Sequence, residues 1–156
     1  MGTKVLIALD ESENAMRAVT FVCRHIAPDH RVTLMSVVPD TAALCSMNNP
    51  GLTPYFMSQK DAFCSLEEKK HQIQAEALEE AREKLIKAGF SSENITPKTA
   101  TQEKGVARDI LAEAETGYDM IVLGRRGLSG IQEFVMGSVS NKVLHGAGNI
   151  PVVLVA

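Results

Sequence analysis

The sequence has few aromatic residues and little net charge. It contains no Trp, two Tyr and five Phe among 156 residues, and its formal net charge is −3. Proteins that bind single-stranded nucleic acid stack bases on aromatic side chains, and a phosphate backbone or an anionic membrane attracts a basic surface. The composition therefore argues against nucleic acid and membranes as partners.

Long apolar runs and a leader pattern are also missing. No stretch approaches the roughly 18–20 apolar residues of a membrane span, and Leu6 stands where a myristoylation signal requires Ser or Thr. The three cysteines, Cys23, Cys45 and Cys64, share no metal-ligand spacing, and their odd number is typical of reduced thiols. We therefore expect a cytoplasmic protein with Cys23 in its core, in which Cys45 and Cys64 could pair under oxidation.

The apolar pattern alternates between strand-like and helix-like segments. Strands are predicted at 5–9, 31–38, 94–101, 120–124 and 151–156, and helices at 15–26, 65–87, 106–114 and 139–144. This order predicts a single domain, residues 1–156, built on an open five-stranded parallel sheet with helices on both faces. The strand order that we expect is 3-2-1-4-5.

The middle of the chain departs from this pattern. Residues 40–64 show no sustained period and contain two prolines and a glycine, so we interpret them as a variable loop that could cover a neighbouring cleft. In the helix that follows, Ser65 and Glu68 fit a capping box and Gly89 is placed to end the helix. Its acidic run is typical of a solvated face. The predicted apolar face consists of Leu66, Ile73, Ala77, Ala81 and Leu85.

Glycines are concentrated in one segment, GRRGLSGIQEFVMGSVSN, at 124–141. Glycine in regular structure costs roughly 0.5–1 kcal/mol relative to alanine, so the segment should serve tight turns or amides that approach a ligand. Open α/β sheets bind ligands beyond the carboxyl ends of the strands, where the strand order reverses. Asp10 ends strand 1 and Gly124 ends strand 4. The two segments should therefore meet at the predicted binding site.

The spacing of Gly124, Gly127, Gly137 and Ser138 reads G-x2-G-x9-G-[ST]. This pattern resembles the ATP-binding members of the universal stress protein family, and the resemblance runs from VLIALDES through DMIVLGRRG to GSVSNKVLHGAGNIPVVLVA. It implies a Rossmann-like fold, similar to that of the adenine nucleotide α-hydrolases, and a regulatory protein of the stress response. It also implies that the backbones of Ala8 and Val37 contact the adenine of ATP, ADP or AMP.

Elementary chemistry assigns roles to the other residues of this site. Bare glycine backbone admits phosphates, and the free amides that open the last helix form an anion site. The hydroxyls of Ser138 and Ser140 can add donors, and Asp10 can accept from ribose hydroxyls. Each of these residues could instead have a purely structural role. The glycines could form ordinary turns, Ser138 or Asp10 could only cap a helix, and the arginine pair at 125–126 could simply be solvated. The predicted nucleotide-binding residues are Ala8, Leu9, Asp10, Val37, Gly124, Arg125, Arg126, Gly127, Gly137, Ser138, Val139 and Ser140.

Two other functions remain open at this point. One is a slow ATP-hydrolysing enzyme, although no general base or nucleophile pair is evident and neither a Walker A motif nor G-x-G-x-x-G occurs. The segment ALDESENA also lacks the Gly- and Ser-rich loop of hydrolases that release pyrophosphate. The other is an interaction module without nucleotide. Mg²⁺ or Mn²⁺ could bridge the phosphates, but the sequence offers no dedicated carboxylate cluster.

The last predicted strand has an open edge. The five residues after Pro151 are all apolar, with no lysine or charge to protect them from pairing with another chain. We therefore expect a homodimer joined through 151–156 under two-fold symmetry, as resemblance to the family also implies. The alternative is a short edge packed only by its own helices.

Overall fold

The computed structural model describes residues 2–9, 13–47, 51, 53–125 and 137–156. Within these residues the strands are β1 (Lys4–Ala8), β2 (Arg31–Val38), β3 (Ile95–Thr101), β4 (Met120–Gly124) and β5 (Val152–Val155). The α-helices are α1 (Glu13–His25), α2 (Ala42–Cys45), α3 (Pro54–Lys87), α4 (Val106–Ala114) and α5 (Ser138–Gly146).

The strands form one parallel sheet in the order β3-β2-β1-β4-β5, which confirms the predicted topology. β1 lies at the centre, where Ala8 is opposite Met35 of β2 and Leu123 of β4. β3 and β5 are the edge strands. The reversal of strand order therefore falls between β1 and β4, as expected.

Helices cover both faces of the sheet because successive strand residues point in opposite directions. Val5 and Ile7 of β1 pack in a core with α1 and α3. Leu6, between them, packs on the other face in a core with α4 and α5. The continuous apolar run of β1 is thus buried on both sides.

The prediction of a loop at residues 40–64 is wrong. This segment contains α2 and the first turns of α3, which begins at Pro54 rather than near Ser65. Thr53 caps the helix, since its Oγ1 accepts from the amide of Phe56 at 3.2 Å, and Pro54 occupies the first helical position. Ser65 consequently lies inside the helix and does not cap it.

The predicted apolar face of α3 is only partly correct. Leu66 and Ile73 are 59% and 49% exposed, whereas Leu78, Ala81 and Leu85 are buried in the core. A helix of 34 residues is roughly 50 Å long, about twice the length of the eight-residue β2. As a crossover between parallel strands, α3 runs opposite to them, so its N-terminal half extends beyond the carboxyl edge of the sheet. None of the described residues in that half belongs to either apolar core, so it needs no apolar period. Its other end is as predicted, with Gly89 at φ +106°.

The expectation of reduced thiols is wrong for one pair of cysteines. Cys45 and Cys64 form a disulfide that joins α2 to α3. The physical reason is that α3 already begins at Pro54, so Cys64 lies on a helix that passes beside α2. Cys23 is a free thiol packed against the core, as expected, and burial raises its pKa.

Candidate functional site

A cavity of about 300 Å³ lies at the carboxyl edge of the sheet, close to the reversal of strand order. Three predicted site residues, Leu9, Val37 and Val139, contribute to its wall. They come from the end of β1, the end of β2 and the start of α5. The remaining lining residues are Met35, Pro39, Glu67, Lys70, Gln74, Gln102, Val106 and Ile110.

The strand ends give this cavity its floor. Ala8 is the last residue of β1 paired with β2, opposite Met35, and the amide of Leu9 donates to the Met35 carbonyl at 2.8 Å. β2 continues to Val38, so Val37 lies two residues beyond the last register pair with β1. The backbone of Val37 thus stands at the cleft, where the family resemblance expects adenine.

Backbone hydrogen bonds hold the end of β4 next to the residue that precedes α5. The amide of Arg125 donates to the Val155 carbonyl at 2.8 Å, and the Arg125 carbonyl accepts from the amide of Gly137 at 2.9 Å. Gly124 and Gly137 are thereby held close to each other. The predicted residues Asp10, Arg126 and Gly127 lie outside the described residues.

The start of α5 provides backbone donors. Gly137 is the N-cap, and none of the described side chains caps the helix there. The first helical bond runs from the amide of Asn141 to the Gly137 carbonyl, at 3.0 Å. Helix geometry therefore leaves the amides of Ser138, Val139 and Ser140 without intrahelical acceptors, at the positive end of the helix dipole. Val139 lines the cavity, so the start of α5 borders it.

The two serines of this turn differ in their surroundings. Ser140 is 4% exposed, and its hydroxyl donates to the Gly124 carbonyl at 2.6 Å. Ser138 is exposed, and among the described residues its hydroxyl has no hydrogen-bond partner. The Ser140 proton is thus already used to join α5 to the end of β4, while the Ser138 hydroxyl is available to a ligand.

Sequence reasoning missed the wall that α3 contributes. Glu67, Lys70 and Gln74 line the cavity, although they belong to the run predicted to be a solvated face. Glu67 is only 7% exposed, and its Oε1 lies 3.4 Å from the Lys70 Nζ. Their spacing of three and seven residues signals one helix face. Recognising that this face meets the cleft required the start and direction of α3.

A second, more open groove of about 780 Å³ runs between α4 and α5. Val106 and Val139 line both this groove and the smaller cavity. Its basic residues are Lys104, Arg108, Lys142 and His145, and none of the described residues in its wall is acidic. The described lining of this groove therefore carries positive charge on both the α4 and the α5 side.

Two other observations concern titratable groups. Within the described part of the chain, no three His, Cys, Asp or Glu residues gather in a way that would hold a metal ion. Away from the cleft, Glu113 of α4 accepts hydrogen bonds from Lys98 of β3 at 2.6 Å and from Tyr118 at 2.9 Å. Burial acts to raise the pKa of Glu113, but these two bonds and the positive charges of Lys98 and Lys4 together outweigh it and lower the pKa. This cluster attaches the edge strand to α4.

Comparison with known proteins identifies the family. The model of the universal stress protein family matches residues 1–156. A curated relative, the universal stress protein YxiE of Bacillus subtilis, is 30% identical over 147 residues, which cover 92% of each chain. The chain belongs to the universal stress protein family.

Solved structures share the fold of this family member. Hypothetical protein MJ0577 superposes with a TM-score of 0.73 at 22% identity, covering 99% of this chain and 96% of its own. A universal stress protein from Archaeoglobus fulgidus in complex with dAMP has a TM-score of 0.62 at 18% identity, covering 100% and 98%. A universal stress protein in complex with cAMP has a TM-score of 0.62 at 20% identity, covering 99% and 96%.

Proposed function

We propose that this universal stress protein binds an adenine nucleotide, ATP or its products ADP and AMP, in the cleft between β1 and β4. The observation that carries the proposal is the cavity that opens beside three helix-terminal amides, those of Ser138, Val139 and Ser140. Apolar walls suit a base, and amides at a helix N-terminus suit phosphate. Two structures with the same fold are complexes with dAMP and cAMP, which supports an adenine ligand.

In this proposal the base and the phosphates occupy different parts of the cleft. A volume of about 300 Å³ is at the small end for ligand pockets, so it accommodates the base while the phosphates extend outward. The base lies against Leu9 and Val37. The phosphates lie between Gly124–Gly127 and 137–140, with Arg125 and Arg126 able to approach them and Asp10 accepting from ribose.

The proposed role is regulatory rather than catalytic. The described residues that line the cavity include a single carboxylate, Glu67, whose Oε1 pairs with Lys70 on the α3 wall. A Mg²⁺ or Mn²⁺ ion, if bound, would be held mainly by phosphate oxygens and water. Slow ATP hydrolysis is the alternative function. Asp10 is the acid that would serve it, because it directly follows Leu9, a residue of the cavity wall.

The test is nucleotide binding by wild type and by Gly137→Val. Gly137 has φ −59° and ψ 152°, a conformation that valine adopts freely, so the variant should fold. Its branched side chain would occupy the space that phosphate needs beside the bare backbone. Calorimetry should show ATP binding to wild type and its loss in the variant, with unchanged thermal unfolding of the nucleotide-free proteins. Equal affinities would contradict the phosphate site, and no binding by wild type would favour the nucleotide-free module.

We further propose a homodimer that pairs through β5, the apolar edge strand. Ile121 and Arg125 donate to the carbonyls of Pro151 and Val155, so the alternate residues Val152 and Leu154 direct their backbone groups outward. Leu154→Pro removes an outward donor, whereas Leu154→Ala removes similar packing and keeps the donor. Sedimentation equilibrium should show a dimer for wild type and Leu154→Ala and a monomer for Leu154→Pro. A monomeric wild type would exclude this interface.

We also propose that the protein acts in the cytoplasm, where thiol systems could reduce Cys45–Cys64. Within the described residues, no helix is both long and apolar enough to cross a bilayer. Cell fractionation with an antibody against the protein tests this location, and recovery in the membrane or secreted fraction would contradict it.

A further inference from the structure

The N-terminal half of α3 carries large apolar side chains that the fold of one chain leaves exposed. Phe56 and Phe63 are each 41% exposed, and Leu66 and Ile73 are more exposed still. We call these four residues the α3 stripe. The chain buries a neighbouring face of the same helix, which holds Lys60, Glu67, Leu78, Ala81 and Leu85. The core of one chain therefore does not account for the α3 stripe.

The spacing of the α3 stripe is typical of a helix that packs against a second helix. Its members follow one another at intervals of seven, three and seven residues, which places the two Phe at heptad positions a and the other two at positions d. Gln59 and Lys70, both exposed, occupy the remaining d and a positions. The seam spans 18 residues of one continuous helix, about 27 Å.

The α3 stripe is also symmetric about its own midpoint. Phe56 and Ile73 lie equally far from that point along the chain, and so do Phe63 and Leu66. In an antiparallel pair of helices, each a position faces a d position of the other helix. A two-fold axis through the midpoint therefore places Phe56 against Ile73 of the partner subunit and Phe63 against Leu66 of the partner subunit. A pattern that is complementary to itself under a two-fold axis favours a second copy of this chain as the occupant.

The charges of α3 are compatible with this register. Lys70 lies opposite Gln59 of the partner subunit, whose side-chain oxygen can accept from the ammonium group. Lys70 has three donors, so its pair with Glu67 is kept. Just outside the seam, Glu76 lies beside Tyr55 of the partner subunit, whose hydroxyl can donate to the carboxylate. These contacts bring no like charges together.

The size of the α3 stripe sets the strength of the contact. Its side chains expose roughly 350 Å² per protomer, if a large apolar side chain offers about 200 Å². A standard interface buries about 800 Å² per partner, so this contact is weak and forms only in concentrated protein. It does not compete with the edge strand β5, because α3 packs on β2 and β3 at the other side of the sheet.

We propose that α3 is an interface between two copies of this chain, paired antiparallel about a two-fold axis at the midpoint of the α3 stripe. This contact depends neither on the nucleotide nor on the pairing of β5. Whatever species exists in dilute solution, its mass at least doubles when the protein is concentrated, because each copy offers a second self-complementary surface.

The experiment is sedimentation at protein concentrations from about 10 µM to about 1 mM, without nucleotide. The mass of wild type should at least double over this range. Leu66→Lys should abolish the increase, because it places a charge against Phe63 of the partner subunit. The matched control is Ile86→Lys, which adds the same charge at an exposed apolar position of α3 outside the stripe and should associate as wild type does.

An exchange of charges tests the antiparallel register. Phe63→Glu alone should also abolish the increase in mass. The double variant with Phe63→Glu and Leu66→Lys should recover it, because the antiparallel register brings residue 63 against residue 66 of the partner subunit. A parallel pair would bring like charges together and would show no recovery.

A wild-type mass that stays constant up to about 1 mM would overturn the interface, and so would a doubling that Leu66→Lys leaves intact. Absence of recovery in the double variant would overturn the antiparallel register. If the mass stays constant while wild type, but not Leu66→Lys, co-sediments with vesicles of phosphatidylcholine and phosphatidylglycerol, the α3 stripe binds a lipid surface and the proposal is wrong. The wild-type measurement needs no variant, so it decides the matter even if a variant does not fold.

Discussion

Removing the hydroxyl groups of the two serines at the start of α5 should affect two different properties of the protein. The Ser140 hydroxyl is buried and donates to the Gly124 carbonyl at 2.6 Å, which links α5 to the end of β4. The Ser138 hydroxyl is exposed and has no partner among the described residues. Ser140→Ala should therefore reduce stability, whereas Ser138→Ala should reduce nucleotide affinity.

The expected magnitudes follow from the type of hydrogen bond. Ser140→Ala removes a buried bond and deprives a carbonyl of its donor, which costs about 1–2 kcal/mol of the free energy of unfolding. For a chain of this size, that corresponds to a fall in Tm of roughly 3–6 °C. Ser138→Ala removes a donor to a charged phosphate oxygen, worth about 1.5 kcal/mol or about tenfold in Kd.

Calorimetry measures both quantities on the same preparations. Thermal scans of the nucleotide-free proteins give the Tm values, and titration with ATP gives the Kd values. The reasoning is refuted if Ser140→Ala melts at the wild-type temperature, or if Ser138→Ala binds ATP as tightly as wild type. A lowered Tm for Ser138→Ala would show that its hydroxyl is a structural cap.

Three further predictions concern the disulfide, an ion pair and turnover. Replacing both Cys45 and Cys64 by Ser should lower the free energy of unfolding by up to about 3 kcal/mol, because the bridge spans 19 residues. Urea unfolding measures this loss. Wild type in reductant should unfold at the same urea concentration as the variant. Glu113→Gln should cost about 1 kcal/mol at pH 7, discounted because Lys98 is half-exposed. Since the folded pKa of Glu113 is lowered, its stabilisation exists above its ordinary value of 4.5 and disappears as the pH falls through the folded pKa, so the two unfolding curves should converge in acid. Phosphate release from ATP should stay far below about 10 s⁻¹, and faster turnover that Asp10→Asn abolishes would contradict a regulatory role.

The strands and most helices could be predicted because burial imposes a local pattern. β1 is apolar throughout because both of its faces are covered, and Gly89 ends α3 because few residues other than glycine adopt its φ of +106°. The start of α3 could not be obtained from periodicity. Its first turns extend beyond the sheet, so the core selects no regular apolar face there, and the Thr53-Pro54 start signal was the only local indication.

The candidate site divides in the same way. We could predict that the ends of β1 and β4 meet near Gly137. This prediction needed only the order of the strands along the chain, the glycine spacing and the rule for ligand sites in open parallel sheets. They were not enough to distinguish Ser138 from Ser140, since both precede or begin a helical turn and only the approach of the Gly124 carbonyl separates them.

The sequence by itself determined the succession of strands and helices along the chain, the family resemblance and the glycine segment, because each depends on local patterns that burial and backbone geometry impose. Only the tertiary structure decided that Glu67 and Gln74 belong to the cleft and that Cys45 bonds Cys64. The physical reason is that a polar helical residue has the same local signature in water and against a cavity. The length and direction of α3, set by its anchor in the core, determine which of the two it meets.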